Sequence, residues 1–351
     1  MTVLSENLAI PRGVLVVVTG ANGYIASHVA DQLLRANYRV RGTVRNLSKN
    51  QWLTEYFTNK YGAGKFELVE VPNMGVPHAY DEAVKGASGL VHLATPTFQM
   101  YDPAESIPLV TDGTINTLEA AQQEPLMKRV VLTSSSAAAA NAQPNVEFTI
   151  DEGTWNEKAI RAVWAKTQDI SEHRMNIYSA SKAQAEKAAW KWMIEKQPNF
   201  VLNTVLPNVN FGSALCPEHQ GYPSTVMWVR AVWDGFRANH GDGVSIPPRV
   251  IPLQWFVDVV DDALVHVAAL IYKDVRAERL FAYAETYSWN DILAALRKAH
   301  PERQFIEDIP DLGTDLSKVT NQGAEDLLKK IAGRGWMGLE ETIRKMTADW
   351  V

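Results

Sequence analysis

Through the first two-thirds of the chain, short apolar runs alternate with longer stretches whose apolar positions recur every three to four residues. Val14–Thr19 (VLVVVT) is the first run, followed by Tyr38–Val44, Phe66–Val71, Gly89–Ala94, Arg129–Thr133 and Leu202–Leu206. Ile25–Arg35, Thr111–Gln123 and Ser179–Lys196 carry helical periodicity between them. A run such as VLVVV, apolar throughout, suits a strand buried on both faces. Strand, helix, strand in repetition predicts a parallel sheet covered by helices on both sides. After Pro207 the alternation breaks. Residues Phe211–Trp255 are rich in Pro, Gly, Trp and polar residues, with one helical stretch near Ser224–Arg237. Phe256–Ala269 reads as a helix, Arg279–Tyr283 as a strand, and Trp289–Ala299, Gly323–Ile331 and Leu339–Thr347 as closing helices. No internal repeat or low-complexity tract interrupts the pattern.

Length and charge narrow the function. At 351 residues the chain exceeds what one hydrophobic core usually serves, so one large or two coupled domains are expected. A formal net charge of −6 argues against general nucleic-acid affinity, so an anionic ligand must be held by local positive charge. Cys216 is the only cysteine, which rules out an intramolecular disulfide and fits a reducing compartment. It lies in a polar segment and reads as a loop residue, not a nucleophile. The N-terminus has no basic stretch followed by an apolar one, and the longest apolar run, around Val259–Ile271, contains Asp261, Asp262 and His266. A soluble cytoplasmic protein that spans no membrane is the expectation. The eight histidines show no metal-ligand spacing, so no metal site is expected.

The first strand runs into Thr19-Gly20-Ala21-Asn22-Gly23-Tyr24-Ile25-Ala26. Glycines permit a tight turn and close approach of backbone N–H groups to a ligand. The helix that follows aims its N-terminus at the same place, where a pyrophosphate is stabilised. Between a strand and a helix, at the head of a βαβ pattern, this turn reads as a dinucleotide site that uses Thr19, Gly20, Asn22, Gly23, Tyr24 and Ile25. Ala26 in the last position still allows close helix–strand packing. The end of the second strand selects the cofactor. A carboxylate there would bind a ribose 2′-OH, but the chain offers Arg45 and Lys49, which suit a 2′-phosphate. NADPH/NADP is therefore expected. Arg41 alternates along the strand and has no clear partner. The fold class expected is α/β, a Rossmann-type doubly wound parallel sheet with a smaller C-terminal substrate-binding region. The dinucleotide-binding domain spans residues 1–210, with about 256–280 packing back on it. Residues 211–255 and 281–351 form the substrate region.

The stretch Asn176-Ile177-Tyr178-Ser179-Ala180-Ser181-Lys182 places a phenol and an ammonium at i and i+4, on one helix face with small residues between. Strand five ends in Thr133-Ser134-Ser135-Ser136, on the sheet edge where open α/β folds bind ligands. A serine there donates to a substrate carbonyl. Tyr178 protonates the alkoxide that forms on hydride addition, and Lys182 lowers the phenol's pKa toward neutrality.

With these residues in place, the chain resembles the extended short-chain dehydrogenase/reductases. TGANGYIA is similar to their TGxxGxxG/A turn and NIYSASK to their YxxxK motif. YRVRGTVRN, VHLATP, DGTINTLEAA, RVVLTSSSA, LPNVNFG and SWNDILAALRKAHP resemble the microbial NADPH-dependent aldehyde (carbonyl) reductases, relatives of dihydroflavonol and cinnamoyl-CoA reductases. The resemblance spans about residues 13–345. It implies Ser135 as catalytic serine, with Ser134 the alternative register, and Tyr178 as general acid. It implies Lys182 on the nicotinamide ribose, Arg45 on the 2′-phosphate, Ala94 and Thr95 under the cofactor, and Pro207 and Asn208 beside the nicotinamide. Asn73 stands where the family often has an adenine-contacting Asp, after an unusual Val71-Pro72.

The function expected is NADPH-dependent reduction of aldehydes and ketones, small-molecule carbonyls, by a monomer or homodimer. A nucleotide-sugar epimerase or dehydratase of the same fold competes, as does a non-catalytic NADP-sensing regulator. An apolar pocket suggests Phe98, Val209 and Trp228 for substrate. Segments 215–223 and 249–254 are expected as loops at the substrate mouth, and His92 and Asn116 as structural residues.

Overall fold

The computed structural model describes residues 7–96, 101–165, 170–236 and 251–350. Its strands are β1 (Leu15–Val18), β2 (Arg39–Val44), β3 (Phe66–Glu70), β4 (Ala87–His92), β5 (Arg129–Thr133), β6 (Thr149–Ile150), β7 (Val201–Pro207), β8 (Val209–Phe211), β9 (Gln254–Asp258), β10 (Arg279–Ala282), β11 (Glu285–Tyr287) and β12 (Lys318–Val319). Its helices are α1 (Tyr24–Arg35), α2 (Gln51–Tyr61), α3 (Asp81–Val84), α4 (Pro103–Gln123), α5 (Ser136–Ala139), α6 (Glu157–Ala162), α7 (Ile170–Lys196), α8 (Pro217–Gln220), α9 (Val226–Trp233), α10 (Val259–Ile271), α11 (Trp289–Ala299), α12 (Gln322–Ala332) and α13 (Leu339–Met346).

Seven strands form one parallel sheet in the order β10-β7-β5-β4-β1-β2-β3. The order reverses between β1 and β4, and ligands of such sheets bind in the crevice at that switch point, beyond the carboxyl ends of the strands. Strand period 2 divides the core into two layers. Val16 and Val18 of β1 face the layer that includes α1 and α10. Leu15 and Val17 join the layer that includes Leu118 of α4 and Ala189 and Trp192 of α7. Arg129 is buried at the start of β5 and donates to the carbonyls of Tyr272, Lys273 and Val275, just past the C-terminus of α10. Positive charge is favoured at such helix ends.

A second sheet, β11-β9-β8, joins α9, α11 and α13 around a separate apolar cluster that includes Phe211, Trp233, Phe256 and Trp289. The expected helix over Phe256–Ala269 divides here. Gln254–Asp258 is a strand and the helix begins at Val259, because the Asp258 carboxylate accepts from Val260 N–H at 2.8 Å and caps it. The expected strand near Arg279–Tyr283 is the edge strand β10 of the main sheet, so a boundary at 280/281 cuts through it. Helix α12 also packs on α10 and β10. Helix α4 starts earlier than expected, at Pro103, capped by Asp102. Among the described residues helix α7 spans Ile170–Lys196, so Tyr178 lies well inside it. Among the described residues no helix is long and apolar enough to cross a membrane.

Candidate active site

The glycine turn occupies the switch point. Gly20 adopts φ +65°, and a Cβ there would lie 3.2 Å from the Ala94 Cα, so β1 and β4 meet the crevice through a backbone cradle that a side chain would fill. Gly23 is the N-cap of α1 and supplies no side-chain cap. The first-turn N–H groups of Tyr24 and Ile25 therefore have no intrahelical partner and favour an anion. Asn22 and Gly23 are exposed and Ile25 half-buried, as a binding turn requires.

Two expected ligand residues have other work. Thr19 is fully buried. Its N–H donates to Val91 C=O, and its hydroxyl oxygen accepts from Leu93 and Ala94 N–H at 2.9 and 3.0 Å. Its side chain thus joins the ends of β1 and β4 and does not reach the cleft. The Tyr24 side chain is also buried, donating to the Gly212 carbonyl at 2.7 Å. Its phenol is engaged away from the glycine turn.

The loop after β2 is braced from below. Asn46 Oδ1 accepts from Ser48 Oγ and Lys49 N, both at 2.9 Å, and Leu47 N–H donates to Glu70 at 2.6 Å. Arg45 and Lys49 are exposed, and the Arg45 side chain makes no hydrogen bond or ion pair with a described residue. Arg41 now has a place. It pairs with Glu67 at 2.7 Å and donates to the carbonyls of Ala83 and Lys85, so it is structural. Asn73 accepts from Gly75 N–H at 2.9 Å, which leaves its amide N–H groups for a ligand. Asn116 holds the neighbouring carbonyls of Met74 and Val76, as a structural residue would.

The catalytic candidates converge along the ends of β4 and β5. Lys182 is buried, and its Nζ donates to Thr133 C=O at 2.8 Å and to Thr95 Oγ1 at 3.3 Å. Burial lowers its pKa to about 8, opposed by the nearby Glu186 carboxylate. Ser135 caps α5, accepting from Ala137 N–H at 3.2 Å. Tyr178 is half-buried. Burial raises its pKa and the Ser135 hydroxyl opposes the rise. The Lys182 ammonium, expected beside the phenol, donates to the Thr133 carbonyl and the Thr95 hydroxyl.

The alternative register at Ser134 is closed. Its hydroxyl donates to the buried Glu186 carboxylate at 2.6 Å. Glu186 also accepts from Thr204 at 2.9 Å and pairs with Arg279 at 2.9 Å. Sequence reasoning missed this pair, although Glu186 follows Lys182 by one helical turn on the face already marked by Tyr178. His92 is buried against Thr19 and Thr117. Burial first, then Lys182, lower its pKa to about 3, so it stays neutral and structural.

Pro207 ends β7 and is buried, while Asn208 is half-buried with its Oδ1 on Val209 N–H. Val209 is 6% exposed within the apolar cluster of the second sheet, and the Trp228 ring lies 6.5 Å from that of Trp289. Both pack into that lobe. Phe98 lies outside the described residues. Within 215–223, expected as a loop, Pro217–Gln220 forms the short helix α8, and this segment clips the glycine turn. Gln220 donates to Asn22 C=O and Ser27 Oγ, both at 3.1 Å, and His219 stacks on Trp52. The described part of 249–254 packs inward, with Ile251 and Leu253 buried. A cavity of about 690 Å³ lined by His28, Asp31, Arg35 and Arg334, among others, shares no residue with the catalytic candidates. Among the described residues no cluster of metal-ligating side chains occurs.

Residues 16–227 match the NAD dependent epimerase/dehydratase family. The chain is 39% identical to aldehyde reductase 2 of Sporidiobolus salmonicolor over 342 residues, covering 97% of each chain. It is 40% identical to the ketoreductase adrE of Penicillium rubens over 345 residues, again covering 97% of each. The crystal structure of yeast methylglyoxal/isovaleraldehyde reductase Gre2 complexed with NADPH superposes with a TM-score of 0.77 at 27% identity, covering 95% of this chain and 97% of that one.

Proposed function

The chain belongs to the NAD dependent epimerase/dehydratase family, and from that premise we propose that it is an NADPH-dependent carbonyl reductase, converting aldehydes and ketones to alcohols. The observation that carries this reading is the continuous constellation Gly20–Ala94–Thr95–Lys182–Thr133–Ser135–Tyr178 across the switch point. The residues present fit the cofactor: a glycine cradle, an uncapped helix N-terminus, and an arginine with no described partner where a 2′-phosphate would sit.

Bound NADPH supplies the hydride. Tyr178 donates its proton to the carbonyl oxygen as that oxygen gains charge. The raised pKa keeps the phenol protonated through the neutral range, so it yields its proton only to a strong base such as an alkoxide. Ser135, held by the Ala137 N–H, turns its O–H toward the same oxygen. Lys182 would hold ribose hydroxyls, and Ala94, Thr95, Pro207 and Asn208 would wall the nicotinamide end. Arg45 and Lys49 would hold the 2′-phosphate, and Asn73 would donate to adenine.

Cofactor consumption with an aromatic aldehyde, an aryl ketone and a β-ketoester tests the reading. Loss of NADPH but not NADH is expected with at least one carbonyl; tight NADPH binding without turnover would favour a sensing regulator. In Arg45→Ala, the KM for NADPH should rise ~10-fold or more, the worth of a charge-assisted hydrogen bond. The KM for NADH should stay within about two-fold, and equal effects would sink the 2′-phosphate assignment.

The pKa of Lys182 predicts a pH profile. A lowered lysine pKa means the ammonium is present below about 8 and lost above it. The kcat/KM for NADPH, which reports the free enzyme, should be level below that pH and fall as pH rises through it. A profile flat to pH ~10 would show that the charge of Lys182 does not matter.

A further inference from the structure

Two buried ionisable groups behind the site take no part in these steps. Asp262 and His266 are fully buried, one turn apart on α10. His266 Nδ1 lies 2.8 Å from the Asp262 carbonyl and 3.2 Å from its Oδ1. The backbone carbonyl can only accept, so Nδ1 carries hydrogen whatever the charge of the ring. On the other side, His266 Nε2 lies 2.8 Å from Thr133 Oγ1. Neither carboxylate oxygen of Asp262 has a hydrogen-bond partner. A buried polar group left that way is costly, and the imidazole 3.2 Å from Oδ1 is the polar group beside it. Thr133 is where the pair meets the active site, since its carbonyl accepts from Lys182 Nζ at 2.8 Å.

We propose that Asp262 and His266 are positioning residues that fix Thr133 from behind and, through its carbonyl, set where the Lys182 ammonium sits. The proposal rests on the reading above, in which Lys182 binds the cofactor. The geometry gives it a direction. The hydroxyl of Thr133 is fixed by His266 and its carbonyl by Lys182, so rotation of this residue at the end of β5 would move the ammonium. Thr133 is 7% exposed, and no other hydrogen bond to its hydroxyl is present among the described residues.

NADPH dissociation constants, measured by fluorescence titration, test this without requiring turnover. His266→Leu and Thr133→Val should each weaken NADPH binding ~5- to 10-fold. The second variant keeps the volume of its site and leaves the Asp262–His266 pair in place, so it remains informative if the first misfolds. His266→Gln, which can still place an amide against Thr133 Oγ1, should stay within about two-fold of the unmodified protein. In a Lys182→Ala background, His266→Leu and Thr133→Val should have no further effect, because residues acting through one group are non-additive. The same loss in both backgrounds would overturn the proposal and leave the pair as core packing. Failure of the unmodified protein to bind NADPH at all would instead overturn the reductase reading.

Discussion

Tyr178→Phe is expected to lower kcat about 10³-fold while the dissociation constant for NADPH stays within about two-fold. Proton transfer by a positioned side chain contributes roughly 10²- to 10⁴-fold, and this substitution removes only the proton donor. The ring would stay where it is, packed beside Ile177, Val163 and Ala180 in a small apolar cluster. Ser135 would remain oriented by the Ala137 N–H, and Lys182 by Thr133 and Thr95. Single-turnover decay of NADPH absorbance, with the aldehyde in excess, separates this loss from any change in product release. A variant that keeps half the rate would remove Tyr178 as the acid. A variant that loses rate and NADPH affinity together would mean that the phenol holds the cofactor more than it serves the carbonyl.

The parts of the site that the sequence exposes are those fixed by local pattern. Apolar runs place the strands of the main sheet to within about two residues, and the strand–glycine–helix junction puts the turn at the switch point. What escapes is whatever depends on partners distant in the chain. Thr19 and Tyr24 belong to the turn by sequence, but β4 and Gly212 claim their side chains. The i, i+4 spacing of Tyr178 and Lys182 shows a shared helix face, yet cannot show that the ammonium donates to a carbonyl on β5. Phe256–Ala269 reads as one helix because an apolar run does not distinguish a buried strand from a buried helix. Asp258 carried the missing signal, since an Asp just before an apolar run is an N-cap residue. The clip by Gln220 and His219 had no signal of its own, because a short polar segment looks the same whether it faces solvent or a glycine turn.

Glu186→Gln should have the largest effect on stability and a traceable effect on catalysis. The carboxylate is 1% exposed and pairs with the buried Arg279, while Ser134 and Thr204 satisfy its remaining lone pairs. Removing one partner of such a pair leaves an uncompensated buried charge, at a cost of about 3–5 kcal/mol. For a chain of this length that corresponds to a fall in melting temperature of ~4–7 °C. Arg279 keeps some compensation, since its guanidinium lies 3.8 Å from the Trp155 ring centre and donates to the Thr154 carbonyl at 2.6 Å, so the lower end of the range is expected. Calorimetry checks this, and an unchanged melting temperature would mean that those contacts hold the arginine unaided. Glu186 is also the charge that raises the pKa of Lys182 against the effect of burial. Without it the ammonium is lost at lower pH, so the fall in kcat/KM for NADPH should move below about 8. If the melting temperature falls and the pH profile does not move, Glu186 serves Arg279 and the fold alone. If both move together, one buried carboxylate stabilises the sheet edge and keeps the lysine charged at neutral pH.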